Sequence, residues 1–241
     1  MKGTIKQKHI DANNYKILLQ GLENCDEITI KECTVDCMQT LHTLFTLLSQ
    51  MPNLQSLKFV ANRFARSISN PFILLLPLLA NNFPQLKILI FDTEPLNPCL
   101  AELILRAAIA KKIESLRMIN CGIDDNTLNL LSEQLEKSTF PFKNLSFANN
   151  KITDTGAIHL FNALSRKPSL LIELDISANQ LGNKSLLHLA HILPSLKLKT
   201  LKCQSIKLDQ LFIQALSNTI PTSSLTTLDF FDCNLSEESI L

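Results

Sequence analysis

Apolar residues recur along this chain in a fixed register. In Leu171-Ile172-Glu173-Leu174-Asp175-Ile176-Ser177-Ala178-Asn179-Gln180-Leu181 they stand at offsets 0, 3, 5 and 10, with asparagine at offset 8. The same register starts again at Cys25, Leu54, Leu86, Ile113, Phe142, Leu198 and Leu225, so eight copies follow one another at spacings of 29, 32, 27, 29, 29, 27 and 27 residues. Offset 3 holds Ile28, Leu57, Leu89, Leu116, Leu145, Leu174, Leu201 and Leu228; offset 5 holds Ile30, Phe59, Phe91, Met118, Phe147, Ile176, Cys203 and Phe230. All are apolar, and their two-residue separation predicts a short strand with both side chains turned into a core.

Offset 8 holds Cys33, Asn62, Glu94, Cys121, Asn150, Asn179, Ile206 and Cys233. A turn buried between stacked repeats leaves backbone N–H and C=O groups in need of partners. An amide offers both donors and an acceptor, and cysteine is a smaller, weaker substitute. Glu94, at the turn that follows the one 32-residue repeat, is therefore expected to mark a local irregularity, and Ile206 also departs from the rule.

Beyond offset 10 the period becomes helical. Asp36, Asn97, Asp125, Asp154, Asn183, Asp209 and Ser236 at offset 11 or 12 are the expected N-caps. Apolar residues then recur at offsets 15, 18 and 22, as in Leu128, Leu131 and Leu135 or Leu186, Leu189 and Leu193, which is one face of a helix. Residues 1–24 contain an amphipathic stretch from Asp11 to Leu22 that predicts an N-terminal capping helix, because terminal repeats need a cap. The repeats then occupy 25–241, with the last helix barely begun.

The eight copies of LxxLxLxxN/CxL resemble the leucine-rich repeat, in its ribonuclease-inhibitor-like subclass, whose repeats of about 28 residues carry full helices. The resemblance covers residues 25–241. It implies an α/β fold: a right-handed solenoid shaped as a horseshoe arc of about eight repeats, with parallel strands on the concave face and helices on the convex face. Strands sit about 4.8 Å apart and helices roughly 8 to 10 Å, so such an array must curve. Similar proteins include enzyme inhibitors, a GTPase-activating protein for Ran, innate immune receptor domains and effectors secreted by intracellular bacteria. The resemblance thus implies protein binding without choosing among these roles.

Composition narrows the reading further. Leucine accounts for 46 of 241 residues, and 23 Lys plus Arg balance 22 Asp plus Glu for a net charge of +1. That hydrophobicity excludes a disordered chain, and the neutrality argues against a nucleic-acid partner, which needs clustered Lys and Arg. The longest apolar run, Phe72 to Ala80, contains Pro77 and is far short of the roughly 20 residues of a membrane span. The first 20 residues lack the apolar core of a secretory signal. With seven cysteines, an odd number, this points to free thiols in a reducing, cytoplasmic setting, with delivery into a host cell by signal-independent secretion as an alternative. The ending Ser236-Glu237-Glu238-Ser239-Ile240-Leu241 gives only a faint export signal, or the start of a helix.

Catalytic and ligand chemistry finds no footing. Cys25, Cys33, Cys121, Cys203 and Cys233 fall on repeat positions and read as core residues. Cys33 and Cys37 lack a second ligand pair, and His188 and His191, three apart on one helix, lack an acidic partner. There is no glycine-rich phosphate loop and no nucleophile motif such as GxSxG. The expectation is a protein that is not an enzyme and takes no cofactor, metal or small-molecule substrate.

What remains is the outward face of the strands, at offsets 2, 4 and 6. Most of it is polar, yet Val60, Ile88, Ile90 and Ile119 fall on adjacent strands, with Lys58, Asp92 and Arg117 around them. An apolar centre with a charged rim is the anatomy of a protein interface. Phe231 with Asp229 and Asp232 forms a second, weaker candidate towards the C-terminal end, and Asp175 in the offset 4 column is a further candidate binding residue. The expected function is a non-catalytic module binding another protein on its concave face, in its sharpest form an inhibitor covering the active site of a partner enzyme. A GTPase regulator and a ubiquitin-ligase adaptor are the alternatives.

Overall fold

The computed structural model describes residues 1–137, 142–166 and 170–235. Nine strands form one sheet in chain order: β1 (Lys2–Lys6), β2 (Glu27–Lys31), β3 (Ser56–Val60), β4 (Ile88–Asp92), β5 (Ser115–Ile119), β6 (Asn144–Ser146), β7 (Glu173–Asp175), β8 (Thr200–Lys202) and β9 (Thr227–Asp229). Every neighbouring pair is parallel. The register never slips, so Gly3, Ile28, Leu57, Leu89, Leu116, Leu145, Leu174, Leu201 and Leu228 stand side by side. A one-residue slip would turn each buried row outward, which is why a half-buried sheet fixes its register.

Helices follow the strands: α1 (Tyr15–Leu19), α2 (Met38–Ser49), α3 (Leu75–Asn81), α4 (Pro98–Lys111), α5 (Asp125–Lys137), α6 (Asp154–Ser165), α7 (Asn183–Ile192) and α8 (Gln210–Thr219). From α2 onwards each packs on its neighbours in sequence. The leucines at offsets 15, 18 and 22, Leu128, Leu131 and Leu135 in α5, Leu186 and Leu189 in α7 and Leu193 just after it, are buried with the offset 3 and 5 rows in a single core.

The N-terminal segment departs from the expected capping helix. Residues 1–24 hold β1, a two-residue strand His9–Ile10 and only the five residues of α1. The reason lies in Ile5 and Ile10, which keep the five-residue spacing of Ile30 and Val35 and are buried as they are. Gly3 replaces the usual leucine because Leu22 fills that space: a Cβ at Gly3 would come within 2.7 Å of Leu22 Cδ2.

The helix starts also differ in part. Asn97 and Asp209 cap α4 and α8 by accepting from the N–H groups of Leu100 and Phe212. For α2 the cap is Cys37, not Asp36; for α6 it is Thr153, and for α7 Gly182. Asp125 and Asp154 already lie inside their helices, and their carboxylates reach across to the next repeat. Asp125 accepts from Thr153 N at 2.8 Å, and Asp154 from Gly182 N at 2.8 Å. Asn183 likewise donates to Asp209. The expected cap Ser236 and the acidic ending lie outside the described residues.

Offset 8 forms a ladder through the molecule. Asn150 accepts from the N–H groups of Cys121 and Ile123 and donates to the carbonyls of Met118, Phe147 and Ala148. One residue earlier, at offset 7, the backbone is left-handed in every copy: Gln7, Glu32, Ala61, Thr93, Asn120, Asn149, Ala178, Ser205 and Asp232 all have φ between 50° and 59°. Glu94 causes no irregularity in this row. Its buried carboxyl group puts an oxygen in the place of an asparagine oxygen, accepting from Asn62 N at 2.9 Å. The extra length of its preceding repeat holds a short 3-10 turn, Pro71–Leu74, that inserts Phe72 among Phe45, Phe59, Phe64 and Phe91.

Candidate functional site

Because strand side chains alternate, one face of the sheet lies under the helices and the other is open. On the open face the offset 4 column reads Thr4, Thr29, Lys58, Ile90, Arg117, Ser146, Asp175, Lys202 and Asp229, each beside the next. Ile90 is therefore flanked directly by Lys58 and Arg117. In the offset 2 column Ile88 lies between Ser56 and Ser115, and in the offset 6 column Asp92 lies between Val60 and Ile119.

The seven expected residues, Lys58, Val60, Ile88, Ile90, Asp92, Arg117 and Ile119, come together on three consecutive strands, β3, β4 and β5. They are less exposed than the sequence suggests. Val60 is only 9% exposed, while Ile88, Ile90 and Ile119 are half-buried. Beside them Lys58 Nζ reaches Asp92 Oδ2 at 3.4 Å and ties β3 to β4.

Arg117 turns the other way. Its guanidinium lies 3.7 Å from Glu173, two strands further on, and Glu173 also takes Lys202 at 2.6 Å. The rim on that side is thus a three-residue network, Arg117–Glu173–Lys202, of which Glu173 and Lys202 were not among the expected site residues. Their signal in the sequence was the order of charges along the columns: an acid at offset 2 with bases at offset 4 on either side.

The C-terminal candidates are not drawn into this group. Asp175 accepts from Ser146 Oγ at 3.0 Å and from Ser177 N at 3.1 Å. Asp229 accepts from Gln204 Nε2 at 2.6 Å and from Phe231 N at 3.1 Å. Both carboxylates are occupied in holding turns and neighbours. Phe231 is 74% exposed, and Asp232 accepts from Ser205 Oγ.

Burial pushes the thiol of Cys121 up to about 12 and that of Cys203 well above its usual value, so both are inert. Cys37 is exposed, and the Thr40 hydroxyl and backbone N–H lower its pKa. His188 bonds Asn162 Oδ1 at 2.9 Å, whereas His191 is exposed. Among the described residues one set of metal-type ligands lies close together: His9, Asp11 and Asp36. Their atoms already serve one another and the chain. His9 Nε2 pairs with Asp36 at 2.9 Å, its Nδ1 bonds Thr34 Oγ1, and Asp11 accepts from the backbone of Asn13 and Asn14. No helix among the described residues is long and apolar enough to cross a membrane.

No family model and no curated protein matches the sequence. Among solved structures the chain is similar to an internalin from Listeria monocytogenes, with 18% sequence identity, a TM-score of 0.42, and an alignment covering 88% of this chain and 69% of that one.

Proposed function

We propose that this chain is a non-catalytic protein-binding scaffold of the leucine-rich repeat type, and that its partner docks on the open face over β3, β4 and β5. The observation that carries the reading is the pair Ile88 and Ile90. These two isoleucines stand on the outward side of one strand with Val60 and Ile119 on its neighbours, between the Lys58–Asp92 pair and the Arg117–Glu173–Lys202 network. A solvated face gains nothing from such a cluster. An interface gains an apolar anchor enclosed by charges that fix orientation.

On this reading residues 1–24 join the repeats at 25–241 as a ninth unit, and the close spacing of strands relative to helices makes the open face concave. Eight gaps of about 4.8 Å give a face roughly 38 Å across, wide enough for a standard interface of about 800 Å² per partner. The matching partner surface is a projecting apolar side chain or loop with both charge signs around it. The resemblance to ribonuclease-inhibitor-like proteins supports a narrower form, in which the partner is an enzyme whose active site is covered.

The test is Ile90→Asp. The new carboxylate would sit between Lys58 and Arg117, so folding tolerates it and the thermal midpoint stays within about 2 °C of wild type. An anchor residue of this kind is worth about 2 kcal/mol or more, hence at least a thirtyfold loss of partner affinity. Retained affinity for the purified partner, with folding intact, refutes the placement.

A further inference from the structure

At offset 8 the other polar residues of the ladder present a hydrogen-bond donor to the strand behind. Cys33 Sγ donates to Ile5 O at 3.5 Å, Asn62 Nδ2 to Ile30 O at 2.9 Å, and Cys121 Sγ to Phe91 O at 3.4 Å. Asn150 Nδ2 donates to Met118 O at 2.8 Å, Asn179 Nδ2 to Phe147 O at 2.9 Å, and Cys233 Sγ to Cys203 O at 2.9 Å. The acceptor is in each case the offset 5 carbonyl of the preceding repeat. Glu94 holds the same place with its side chain 1% exposed, and Oε1 accepts from Asn62 N at 2.9 Å and Asn62 Nδ2 at 2.8 Å. A carboxylate accepts only, whereas a carboxylic acid keeps an acceptor and adds an O–H donor.

We propose that Glu94 is a proton-dependent fastener of the turn behind the open face: as the neutral acid it supplies the donor that asparagine and cysteine supply elsewhere in the ladder, and its ionisation loosens residues 92–96. The proton comes from solvent. The position matters because Asp92, which pairs with Lys58 beside Ile90, is the last residue of β4 and leads into this turn. The proposal stands whatever the open face binds.

The electrostatics agree with this geometry. Burial raises the Glu94 carboxyl from 4.5 to about 7, against the pull of the Asn62 N–H and amide bonds, and the charge of Asp92 adds to the rise. Among the described residues three side chains face it. From the turn after β3 comes Asn62, which does not ionise. From the end of β4 comes Asp92, paired with Lys58. From the turn after β5 comes Cys121, a thiol held protonated by burial. A group whose pKa is raised on folding adds stability that is complete below its unfolded value, here 4.5, and is lost as pH climbs through about 7. Between pH 5.5 and 8 the unfolding constant therefore rises about thirtyfold on this account alone.

The experiment is urea unfolding of wild type and Glu94→Gln across pH 5.5 to 8. Glutamine keeps an acceptor and a donor at all pH values, and the histidine titrations cancel between the two proteins. The expected result is a ratio of unfolding constants, wild type over variant, that climbs about thirtyfold with pH, with amides of residues 92–96 exchanging faster in wild type than in the variant at pH 8 and alike at pH 5.5. A flat ratio, or equal exchange at both pH values, overturns the proposal. Should Glu94→Gln fail to fold, carbon-13 NMR of the wild-type carboxyls decides: one glutamate with a midpoint near 7 supports the proposal, and glutamates all titrating below 5.5 overturn it.

Discussion

Replacing Asn150 by alanine removes the most heavily bonded side chain of the offset 8 ladder. Its Oδ1 accepts from Cys121 N and Ile123 N, both at 3.0 Å, and its Nδ2 reaches three carbonyls between 2.8 and 3.1 Å. The side chain is buried, so water does not replace these bonds freely. A buried donor left without a partner costs about 1 to 3 kcal/mol, and two N–H groups lose theirs here. Carbonyls tolerate the loss better, and alanine removes some side-chain entropy cost, so the net penalty is about 3 kcal/mol. Asn179 offers a built-in comparison: among the described residues it accepts from Ile152 N alone, so Asn179→Ala costs about half as much. Urea unfolding followed by circular dichroism measures both, with the m-value checking that unfolding stays cooperative, since repeat arrays can lose cooperativity. A penalty for Asn150→Ala below about 1 kcal/mol, or one smaller than that of Asn179→Ala, refutes the idea that backbone satisfaction by this ladder holds the repeats together.

Two further outcomes follow from the same packing. Phe72 is fully buried and touches the rings of Phe45, Phe59, Phe64 and Phe91, so Phe72→Ala is expected to destabilise by about 3 to 5 kcal/mol in the same denaturation assay. With a thiol reagent on the native protein, Cys37 reacts first because it is exposed and its pKa is lowered by Thr40, while Cys121 and Cys203 react only on unfolding. Fast native labelling of either buried thiol contradicts the packing described.

Most of the strand register was legible because a half-buried strand leaves a two-residue signature, and eight copies of it average out single departures such as Cys203 at offset 5. The first strand escaped because Gly3 stands where leucine is usual, and the side chains of Leu22 and Cys25, nineteen and twenty-two positions away, explain why. The left-handed residue at offset 7 left only a partial trace: Asn120, Asn149 and Asp232 suit that backbone, whereas Gln7, Glu32, Ala61 and Thr93 share no chemistry and are forced into it by the stack. The same tertiary contacts redirect Asp125 and Asp154, which have the composition of caps but bond the following repeat. At the candidate site the positions of Ile88 and Ile90 were readable, because register alone places them. The burial of Val60 and the reach of Arg117 to Glu173 were not, because they depend on where long side chains settle.

A protein partner docked as proposed covers the open face at β3 to β5. Hydrogen exchange of the protein alone and with its partner bound tests this directly. New protection is expected in residues 56–60, 88–93 and 115–120, with α2 through α8 unchanged. Protection confined to the helices, or to the C-terminal end around Phe231, would contradict it.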